Sequence, residues 1–400
     1  MTHATIVGGS IGGLFAGSYL RAIGWEVDIL ERARNDLASR GTGIARHLEL
    51  EILISKAGIS AKDAVGIFVT GRDGFDEQGK IFATHEFRQQ LGAWNRVFLP
   101  IFEAFPSERY HSGSEFVEFT RTPEYIEVRT VDGQTFKSDL FIGADGFLSG
   151  IRACVAPDIK PHYAGYVAWR GVSHESDLSL EVRNEIFHRY AFLFPRFGQL
   201  IGYPMAGEQA ATKPGERRYN YLWYVPFSED DLTDLLTDAD GNIYQYSIPP
   251  PLLRDAHVTR LREQAERYLP PLFREAVFQA HATMVQPIYD VDSDRMAFDR
   301  VALIGDAAFV VRPHVGTGVL KAAEDAYVLS RCLKDSTEIN AALNAFETER
   351  LTAAKDAVRH GRRLGAFIEQ MCEIPEDLPH LDLDRKRVLR VSGRPFEHID

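Results

Sequence analysis

Cysteine is scarce in this 400-residue sequence, which has only Cys154, Cys332 and Cys372, spread far apart along the chain. Their spacing excludes a CxxC redox pair, a cysteine-rich zinc site and a disulfide scaffold, and it favours a reducing, cytoplasmic environment. No stretch approaches the 18 consecutive apolar residues of a membrane-spanning helix, and no basic segment precedes the first apolar run. We therefore expect neither a metal site nor a membrane anchor.

Positive charge is also in deficit, because 45 lysines and arginines stand against 57 aspartates and glutamates and give a formal net charge of -12. A surface with this balance repels phosphate backbones and anionic lipids, so nucleic acid is not an expected partner. The chain is otherwise 45% hydrophobic and 26% charged, which excludes intrinsic disorder. Its length favours two or three domains and is typical of a multidomain enzyme.

The pattern of apolar residues predicts different secondary structure in different parts of the chain. A strand at 4–7 leads into a glycine-rich turn and a helical pattern, and a second strand at 27–30 completes a βαβ unit. We therefore predict an α/β protein with a Rossmann-like domain, an inserted antiparallel β-sheet and a C-terminal helical region. The inserted sheet is predicted from aromatic-rich strands at 187–194, 199–204 and 219–225, and the helical region from the stretch 339–371.

The glycine-rich turn has the spacing of a dinucleotide-binding fingerprint. Gly8, Gly12 and Gly13 surround Ser10, which stands where the usual pattern has its second glycine. A turn without side chains lets a pyrophosphate reach the unpaired N–H groups at the helix N-terminus. Glu31 ends the second strand at the distance expected for an acid that binds the adenosine ribose hydroxyls. These residues predict a site for the adenosine diphosphate half of a dinucleotide.

Two further motifs follow apolar strands. Residues 143–152, GADGFLSGIR, resemble a GADGxxSxxR signature, and residues 305–318 resemble a GDAAxxxxPxxGxG signature. Together with the glycine-rich turn, they resemble the motifs of the class A flavin-dependent monooxygenases, a family of aromatic hydroxylases. The resemblance runs from the first strand to about residue 326. One departure is Phe309, which occupies a position that is histidine in many family members.

The resemblance implies a fold like that of para-hydroxybenzoate hydroxylase. It also implies noncovalent FAD, NADH or NADPH as a transient reductant, and O2 as co-substrate, with one hydroxyl group passing to an electron-rich ring through a flavin C4a-hydroperoxide. The basic residues near the C-terminus are interpreted as a solvated face or a homodimer contact. The implied domains are an FAD-binding domain at 1–75, 102–172 and 285–335, a substrate-binding β-sheet domain at 76–101 and 173–284, and a helical region at 336–400.

The motifs predict the residues that bind FAD. Asp306 follows a strand end, where its carboxylate can accept a hydrogen bond from a ribityl hydroxyl, and the helix that begins near Gly318 can direct its positive end at a reduced flavin. Asp145 is either a cofactor contact or a turn acid. Arg96 is a candidate for neutralising a cofactor phosphate or an anionic substrate. The other predicted FAD contacts are Arg32, Gly43, Ile44, Pro313, Gly316 and Val319.

Three residues are candidates for catalysis. His47 follows a glycine-rich stretch that approaches the flavin ring in the resembling fold, so it is either a base for a ring hydroxyl or a capping histidine. His314 is either catalytic or a residue that shapes the flavin pocket. Tyr221, with Trp223 and Tyr203 as substrate contacts, offers aromatic faces to a planar ring, although aromatic strands also form plain core. Strand alternation places Tyr221 and Trp223 on one face, and only one face can line a cavity.

The resemblance extends to the pyridine-ring hydroxylases of the same family. It predicts hydroxylation of a small, hydroxylated aromatic or pyridine-type ring, with the exact ring and the choice of NADH or NADPH left open. The alternatives are a hydroxylase of a larger phenolic substrate and a flavin-binding regulatory protein that does not turn over. A halogenase is disfavoured because its Trp-x-Trp-x-Ile-Pro signature is absent. The stretches that carry this resemblance are 41–44, 108–111, 163–171 and 312–314.

Overall fold

The computed structural model describes residues 2–34, 37, 43–60, 66–208, 211–369 and 385–394. Cys372 and the GT pair at 41–42 lie outside these residues. The strands, numbered in chain order, are β1 His3–Val7, β2 Glu26–Glu31, β3 Gly43–Arg46, β4 Gly66–Phe75, β5 Ile81–Ala93, β6 Tyr110–Ser112, β7 Phe116–Arg121, β8 Ile126–Thr130, β9 Thr135–Ser138, β10 Leu140–Gly143, β11 His162–His174, β12 Tyr190–Leu193, β13 Gln199–Met205, β14 Arg218–Pro226, β15 Ala282–Asp290, β16 Ala297–Phe298 and β17 Val301–Leu303. The helices are α1 Ile11–Ala22, α2 Leu48–Lys56, α3 Asn95–Ala104, α4 Gly150–Val155, α5 Leu180–Ile186, α6 Glu229–Leu235, α7 Asp255–Tyr268, α8 Pro271–Phe278, α9 Gly318–Lys334, α10 Ile339–Glu369 and α11 Arg385–Val391.

A six-stranded sheet in the order β16-β17-β10-β1-β2-β6 forms the Rossmann-like part. Its four central strands, β17, β10, β1 and β2, pair in parallel, and their apolar residues are buried on both faces, as a sheet covered by helices requires. Helix α1 crosses from β1 to β2 and packs against α9. The carboxyl ends of the central strands therefore share one edge, where the three sequence motifs begin. This architecture confirms the predicted fold class.

A second sheet has eight strands in the order β15-β11-β14-β13-β12-β4-β5-β3. It is mixed rather than purely antiparallel, because β12 and β4 pair in parallel. Strands β3 and β4, and nearly all of β11, fall within the ranges 1–75 and 102–172 that we predicted for the FAD-binding domain. Within the described residues the chain passes between the six- and eight-stranded sheets as often as the predicted boundaries imply, but at different positions. A small sheet of β7, β8 and β9 completes the strands of the described residues.

The two faces of the eight-stranded sheet carry different cores. Tyr219, Tyr221 and Trp223 of β14 belong to an outer core with residues of helices α5 to α8. Leu222 and Tyr224 of the same strand belong to an inner core with residues of α10, α11 and the loop before α9. This alternation is the two-residue period of a strand. We refer to these two sides as the outer face and the inner face.

The inner face is the one that meets the FAD-binding part, so the structure corrects our prediction for Tyr221 and Trp223. Both side chains are fully buried on the outer face, where the ring nitrogen of Trp223 donates to the carbonyl of Phe197 at 3.1 Å. The ring of Tyr221 packs over Gly171, whose missing Cβ leaves room for it. These aromatic residues are core, and only Tyr203 of the three lies on the inner face.

No helix of the described residues is long and apolar enough to cross a membrane.

Asp28 on β2 forms a charged cluster at the edge of the Rossmann-like sheet. Its carboxylate accepts hydrogen bonds from His3 and His111, both at 2.7 Å. Burial would raise the pKa of Asp28, but the hydrogen bonds from His3 and His111 outweigh it and lower the pKa to about 2. The hydrogen bond to Asp28 in turn raises the pKa of His3 above 6.5. The cluster therefore favours the folded state most where Asp28 is ionised and His3 is protonated.

The replacement Asp28→Asn is expected to lower the free energy of unfolding by about 2 kcal/mol near pH 6, because it removes charge-assisted hydrogen bonds. In the unchanged protein, the Asp28 contribution is present above pH 3.8 and is lost as the pH falls towards 2. The His3 contribution is present below pH 6.5 and is lost as the pH rises through its raised pKa. Denaturant unfolding across this range measures both slopes, and equal slopes in the mutant and the parent would contradict the assignment.

Candidate active site

A groove follows the carboxyl edge of the parallel strands. Its larger cavity, of about 330 Å³, is lined by Gly8, Ser10, Glu31 and Arg32 together with residues of the second motif. A smaller cavity of about 140 Å³ is lined by Ser10, Gly12, Trp94, Asp306, Gly318 and Val319, among others. Both cavities are lined by Ser10, Ala144 and Gly146, so they adjoin along the same edge of the sheet. Residues of all three sequence motifs thus line an extended site.

The glycine turn is closed so tightly that side chains are excluded from it. Gly8 has a φ of +108°, and a Cβ there would lie 2.2 Å from the carbonyl oxygen of Ala144. A Cβ on Gly13 would lie 1.9 Å from the carbonyl oxygen of Gly8. The Glu31 carboxylate accepts the backbone N–H groups of Gly9 and Ala33, both at 2.8 Å. This cradle at the N-terminus of α1 fits a pyrophosphate, with Glu31 placed at the ribose end.

The carboxylate of Asp145 is engaged in the turn before α4, and it also lines the larger cavity, so its contact with the cofactor stays a prediction. Its carboxylate accepts hydrogen bonds from the Ser149 hydroxyl at 2.6 Å and from the Gly150 N–H at 2.7 Å, at the start of α4. Burial raises its pKa. Arg152 donates to the carbonyls of Phe147 and Ala307, at 2.6 and 2.9 Å. Through Arg152, the second motif (residues 143–152) therefore forms hydrogen bonds with the third motif (residues 305–318).

Asp306 exposes its carboxylate to the smaller cavity, whose protein walls raise its pKa. The backbone beside it is fixed, because Lys321 donates to the carbonyl of Gly305 at 2.8 Å and Asp325 accepts the Gly305 N–H at 2.9 Å. A rigidly held acceptor in a walled cavity suits a sugar-alcohol hydroxyl. The residues of the smaller cavity thus fit the ribityl chain of FAD.

Replacement of Asp306 by alanine is expected to raise the FAD dissociation constant about 10- to 100-fold, because a charge-assisted hydrogen bond contributes about 1.5–3 kcal/mol. Titration of the apoprotein with FAD, followed by flavin fluorescence, measures the effect. Asp294→Ala is the matched control, since Asp294 is 91% exposed and pairs with Lys355 at the surface. Unchanged FAD affinity in Asp306→Ala would refute the role of Asp306.

His47 is tied to the loop that precedes α9. Its Nε2 lies 3.0 Å from the carbonyl oxygen of Gly316. Because a carbonyl only accepts hydrogen bonds, Nε2 carries the proton and Nδ1 keeps a lone pair in the neutral ring. Burial lowers the pKa of His47, with a smaller contribution from the positive charge of Arg72. At neutral pH the ring is therefore uncharged and able to accept a proton at Nδ1.

A contact that the sequence did not reveal holds the same loop from the other side. Arg72 on β4 is fully buried and donates to Gln89 at 2.8 Å and to the carbonyls of Leu389, Ser392 and Gly393 at the end of α11. Gly393 in turn donates its N–H to the carbonyl of His314 at 2.9 Å. No described carboxylate pairs with Arg72, and burial lowers its pKa to about 10. We call this set of contacts the Arg72 latch.

Gly316 shows how closely the latch approaches the loop before α9, residues 312–317, which we call the flavin loop. Its φ is +66°, and a Cβ there would lie 2.8 Å from the Cα of Gly393. Pro313 begins the short 3-10 turn before it, and Gly318 begins α9. The Arg72 latch and His47 therefore fix the position of the α9 N-terminus from two directions.

The environment of His314 favours the second of its predicted roles. Its Nε2 lies 2.9 Å from the Tyr166 hydroxyl, and its ring centroid lies 4.2 Å from that of Tyr224. Burial lowers the pKa of His314 to about 3, so the ring stays neutral at pH 7. These contacts favour a histidine that shapes the pocket over one that exchanges protons.

The remaining predicted residues are distributed unevenly. Tyr203 packs its ring over Gly43 on β3, where a Cβ would lie 2.4 Å from the Tyr203 hydroxyl oxygen, and Ile44 is the next residue of that strand. Arg96 is half-buried on α3 and does not line either cavity, although the neighbouring Trp94 does. The roles of Arg96, Gly43 and Ile44 stay predictions. Sequence reasoning missed Arg72, Arg170 and Asn220. Strand alternation could have placed Asn220 on the same face of β14 as Tyr224, but it does not tell which face meets the FAD-binding part.

The groove, its glycine cradle and the facing sheet define an FAD-binding hydroxylase fold. Two family models match the chain: an FAD binding domain-like family over residues 163–290 and an FAD binding domain family over residues 251–361. A curated relative, 2,6-dihydroxypyridine 3-monooxygenase from Paenarthrobacter nicotinovorans, is 32% identical over 353 residues, covering 86% of each chain. The chain belongs to the family of FAD-dependent aromatic-ring monooxygenases.

Solved structures agree with this assignment. The structure of 2,6-dihydroxypyridine-3-hydroxylase from Arthrobacter nicotinovorans has a TM-score of 0.87 at 29% identity and covers 94% of this chain and 95% of its own. A Klebsiella pneumoniae protein solved with FAD and uric acid has a TM-score of 0.76 at 19% identity, over 98% and 94% of the two chains. The second likeness concerns the fold alone.

Proposed function

We propose that this enzyme hydroxylates a small, hydroxylated aromatic or pyridine-type ring, with O2 and NADH or NADPH. The observation that carries the proposal is the inner face of the eight-stranded sheet. There Tyr203 and Tyr224 offer aromatic faces beside Arg170, whose positive charge lowers the pKa of both phenols against the larger raising effect of burial. A cation among aromatic rings suits a flat substrate that carries an ionised hydroxyl. The similarity to the dihydroxypyridine enzyme supports the same substrate class.

Each part of the site has a task in this reaction. Bound FAD supplies the redox and oxygen chemistry. The glycine cradle and Glu31 would hold its adenosine half, Asp306 would accept a hydrogen bond from its ribityl chain, and the N-terminus of α9 would supply a positive dipole end to a reduced flavin. The buried inner face excludes water. His47 accepts the proton of a substrate hydroxyl at Nδ1, which raises the electron density of the ring.

Two replacements separate the proton-accepting role of His47 from its hydrogen bond to Gly316. His47→Gln can keep a donor to Gly316 but lacks a base, whereas His47→Leu loses both. Both replacements are expected to lower the rate of oxygen transfer to the substrate about 10- to 1000-fold. Both should also increase the release of hydrogen peroxide. Only His47→Leu is expected to weaken FAD binding as well. Rapid-reaction kinetics with a peroxide assay measures these effects, and unchanged coupling in His47→Gln would move the base to another group.

The activity itself is tested with purified protein. Heat should release a noncovalent flavin that chromatography identifies as FAD, and hydroxypyridines should stimulate NADH or NADPH oxidation with formation of a hydroxylated product. FMN or a covalent flavin would contradict the cofactor assignment. Stimulation by larger phenols alone would favour the alternative substrate class, and no stimulation by any ring would favour a flavin-binding protein without turnover. The homodimer, the cytoplasmic location and the domain boundaries also stay proposals.

A further inference from the structure

Asn220 on β14 is a fully buried amide without a hydrogen-bond partner. Its exposed fraction is 0%, and neither its Oδ1 nor its Nδ2 has a partner within the described part of the chain. Buried polar groups in folded proteins are nearly always paired, because an unpaired donor or acceptor loses its hydration and gains nothing. A buried amide with both ends unpaired therefore points to a partner that is not part of the chain.

The position of Asn220 identifies where that partner binds. Asn220 lies directly opposite Tyr203 in the pairing of β13 with β14, so both side chains are on the inner face. Tyr203 packs over Gly43, at the start of the strand that leads to His47. Tyr224, on the same face of β14, contacts His314 in the loop before α9. Asn220 thus lies on the same face of the sheet as the residue that contacts the flavin loop.

The chemistry of an amide limits what it can recognise. In one plane it offers an acceptor, Oδ1, beside a donor, Nδ2. The complementary partner is a ring edge with an N–H beside a carbonyl oxygen, as in the lactam form of a 2-hydroxypyridine. Tyr224 and Gln199 also have an unpaired buried polar atom on this strand pair, but each has only one. Asn220 is the residue of this group that can form two parallel hydrogen bonds with one edge.

We propose that the side-chain amide of Asn220 selects substrates whose ring carries an N–H next to a carbonyl oxygen. Oδ1 accepts the ring N–H, and Nδ2 donates to the adjacent oxygen. The inference rests on the proposed function, because it names the substrate class of the same site. A ring of the same shape that lacks the nitrogen leaves the amide unpaired, and that loss is the basis of the discrimination.

Two ring compounds with the same oxygen positions test the selection. Binding of 2,6-dihydroxypyridine and of 1,3-dihydroxybenzene to the oxidised holoenzyme is measured from the change in flavin absorbance, without turnover. The parent enzyme is expected to bind the pyridine about 10- to 100-fold more tightly. In Asn220→Leu this preference should fall to about one, with the affinity for 1,3-dihydroxybenzene retained. Thermal unfolding of Asn220→Leu without ring compound should occur at the same or a higher temperature, because an unpaired buried amide is removed.

A matched control comes from the neighbouring residue. Tyr219→Phe removes an unpaired buried hydroxyl from the outer face of the same strand and should change neither affinity. Asn220→Ala repeats the test if leucine overpacks the site. If the pyridine preference survives in both Asn220 variants, the partners of the amide are buried waters and the inference is overturned, while the hydroxylase function stands. If neither ring binds or is hydroxylated by the parent enzyme, the proposed function fails first.

Discussion

Replacement of Gly13 by alanine is expected to yield a protein that purifies without its yellow colour. The new Cβ would lie 1.9 Å from the carbonyl oxygen of Gly8, and both atoms belong to a turn that backbone contacts hold on both sides. The turn must open, which removes the N–H groups of α1 from the position of a pyrophosphate. We expect FAD retention to fall by at least about 100-fold and the free energy of unfolding by about 3 kcal/mol.

Gly12→Ala provides the comparison at the same helix start. A Cβ on Gly12 would lie 3.5 Å from the Ala322 Cβ, an ordinary contact, so the apoprotein should keep its thermal stability. Absorbance at flavin wavelengths and thermal unfolding of the apoproteins measure the two effects. A yellow Gly13→Ala protein with normal FAD content would mean that the cradle is not the cofactor site.

Replacement of Arg72 by glutamine is expected to release the end of α11 from the sheet. The change removes the donors for the carbonyls of Leu389, Ser392 and Gly393 and leaves those oxygens buried. Unpaired buried carbonyls are costly, so we expect a loss of about 3 kcal/mol in the free energy of unfolding. Because Gly393 supports the loop at Gly316, peroxide release during turnover should also rise several-fold as water reaches the flavin.

Hydrogen–deuterium exchange of residues 385–394 reports the latch independently of activity. Arg189→Gln is the control, since Arg189 is also buried beside β4 but pairs with Asp73 at 3.1 Å and Glu86 at 2.9 Å. It should lower stability without accelerating exchange in that segment or increasing peroxide. If the two replacements give the same exchange and the same coupling, Arg72 contributes only to overall stability and does not position the flavin loop.

The parts of the site that the sequence predicts are those with short contiguous motifs. The tight backbone of the turn requires Gly8 and Gly13, and the ribose end of the ligand requires Glu31. Both requirements act over a short stretch of chain, so the spacing of these residues alone predicts the site. The strand pattern likewise predicts β13 and β14. Which face of β14 meets the cofactor is not local, because alternation gives two faces and tertiary packing chooses between them. That choice explains why Tyr221 and Trp223 were assigned to the wrong side.

Arg72 and Asn220 could not be predicted for a related reason. An arginine or asparagine within a strand is usually exposed to solvent. Among the described residues, Arg72 is exceptional because it is buried without a carboxylate partner, and Asn220 because it is buried without any hydrogen-bond partner. The backbone carbonyls that Arg72 contacts lie more than 300 positions away in the sequence. His47 was predicted from the family resemblance, yet its hydrogen bond to Gly316 joins segments that no sequence window connects.

Because of the Arg72 latch, the flavin loop cannot be completed before residue 393 has been synthesised. During synthesis the cradle residues near Gly13 emerge early, but the segment that supports Gly316 emerges only with Gly393. Contacts between such distant positions slow folding, because the connecting chain must first be ordered. A ligand that binds only the completed site shifts the folding equilibrium towards the folded state by mass action. Free FAD is therefore expected to stabilise the folded protein by an amount that grows with its concentration above the dissociation constant.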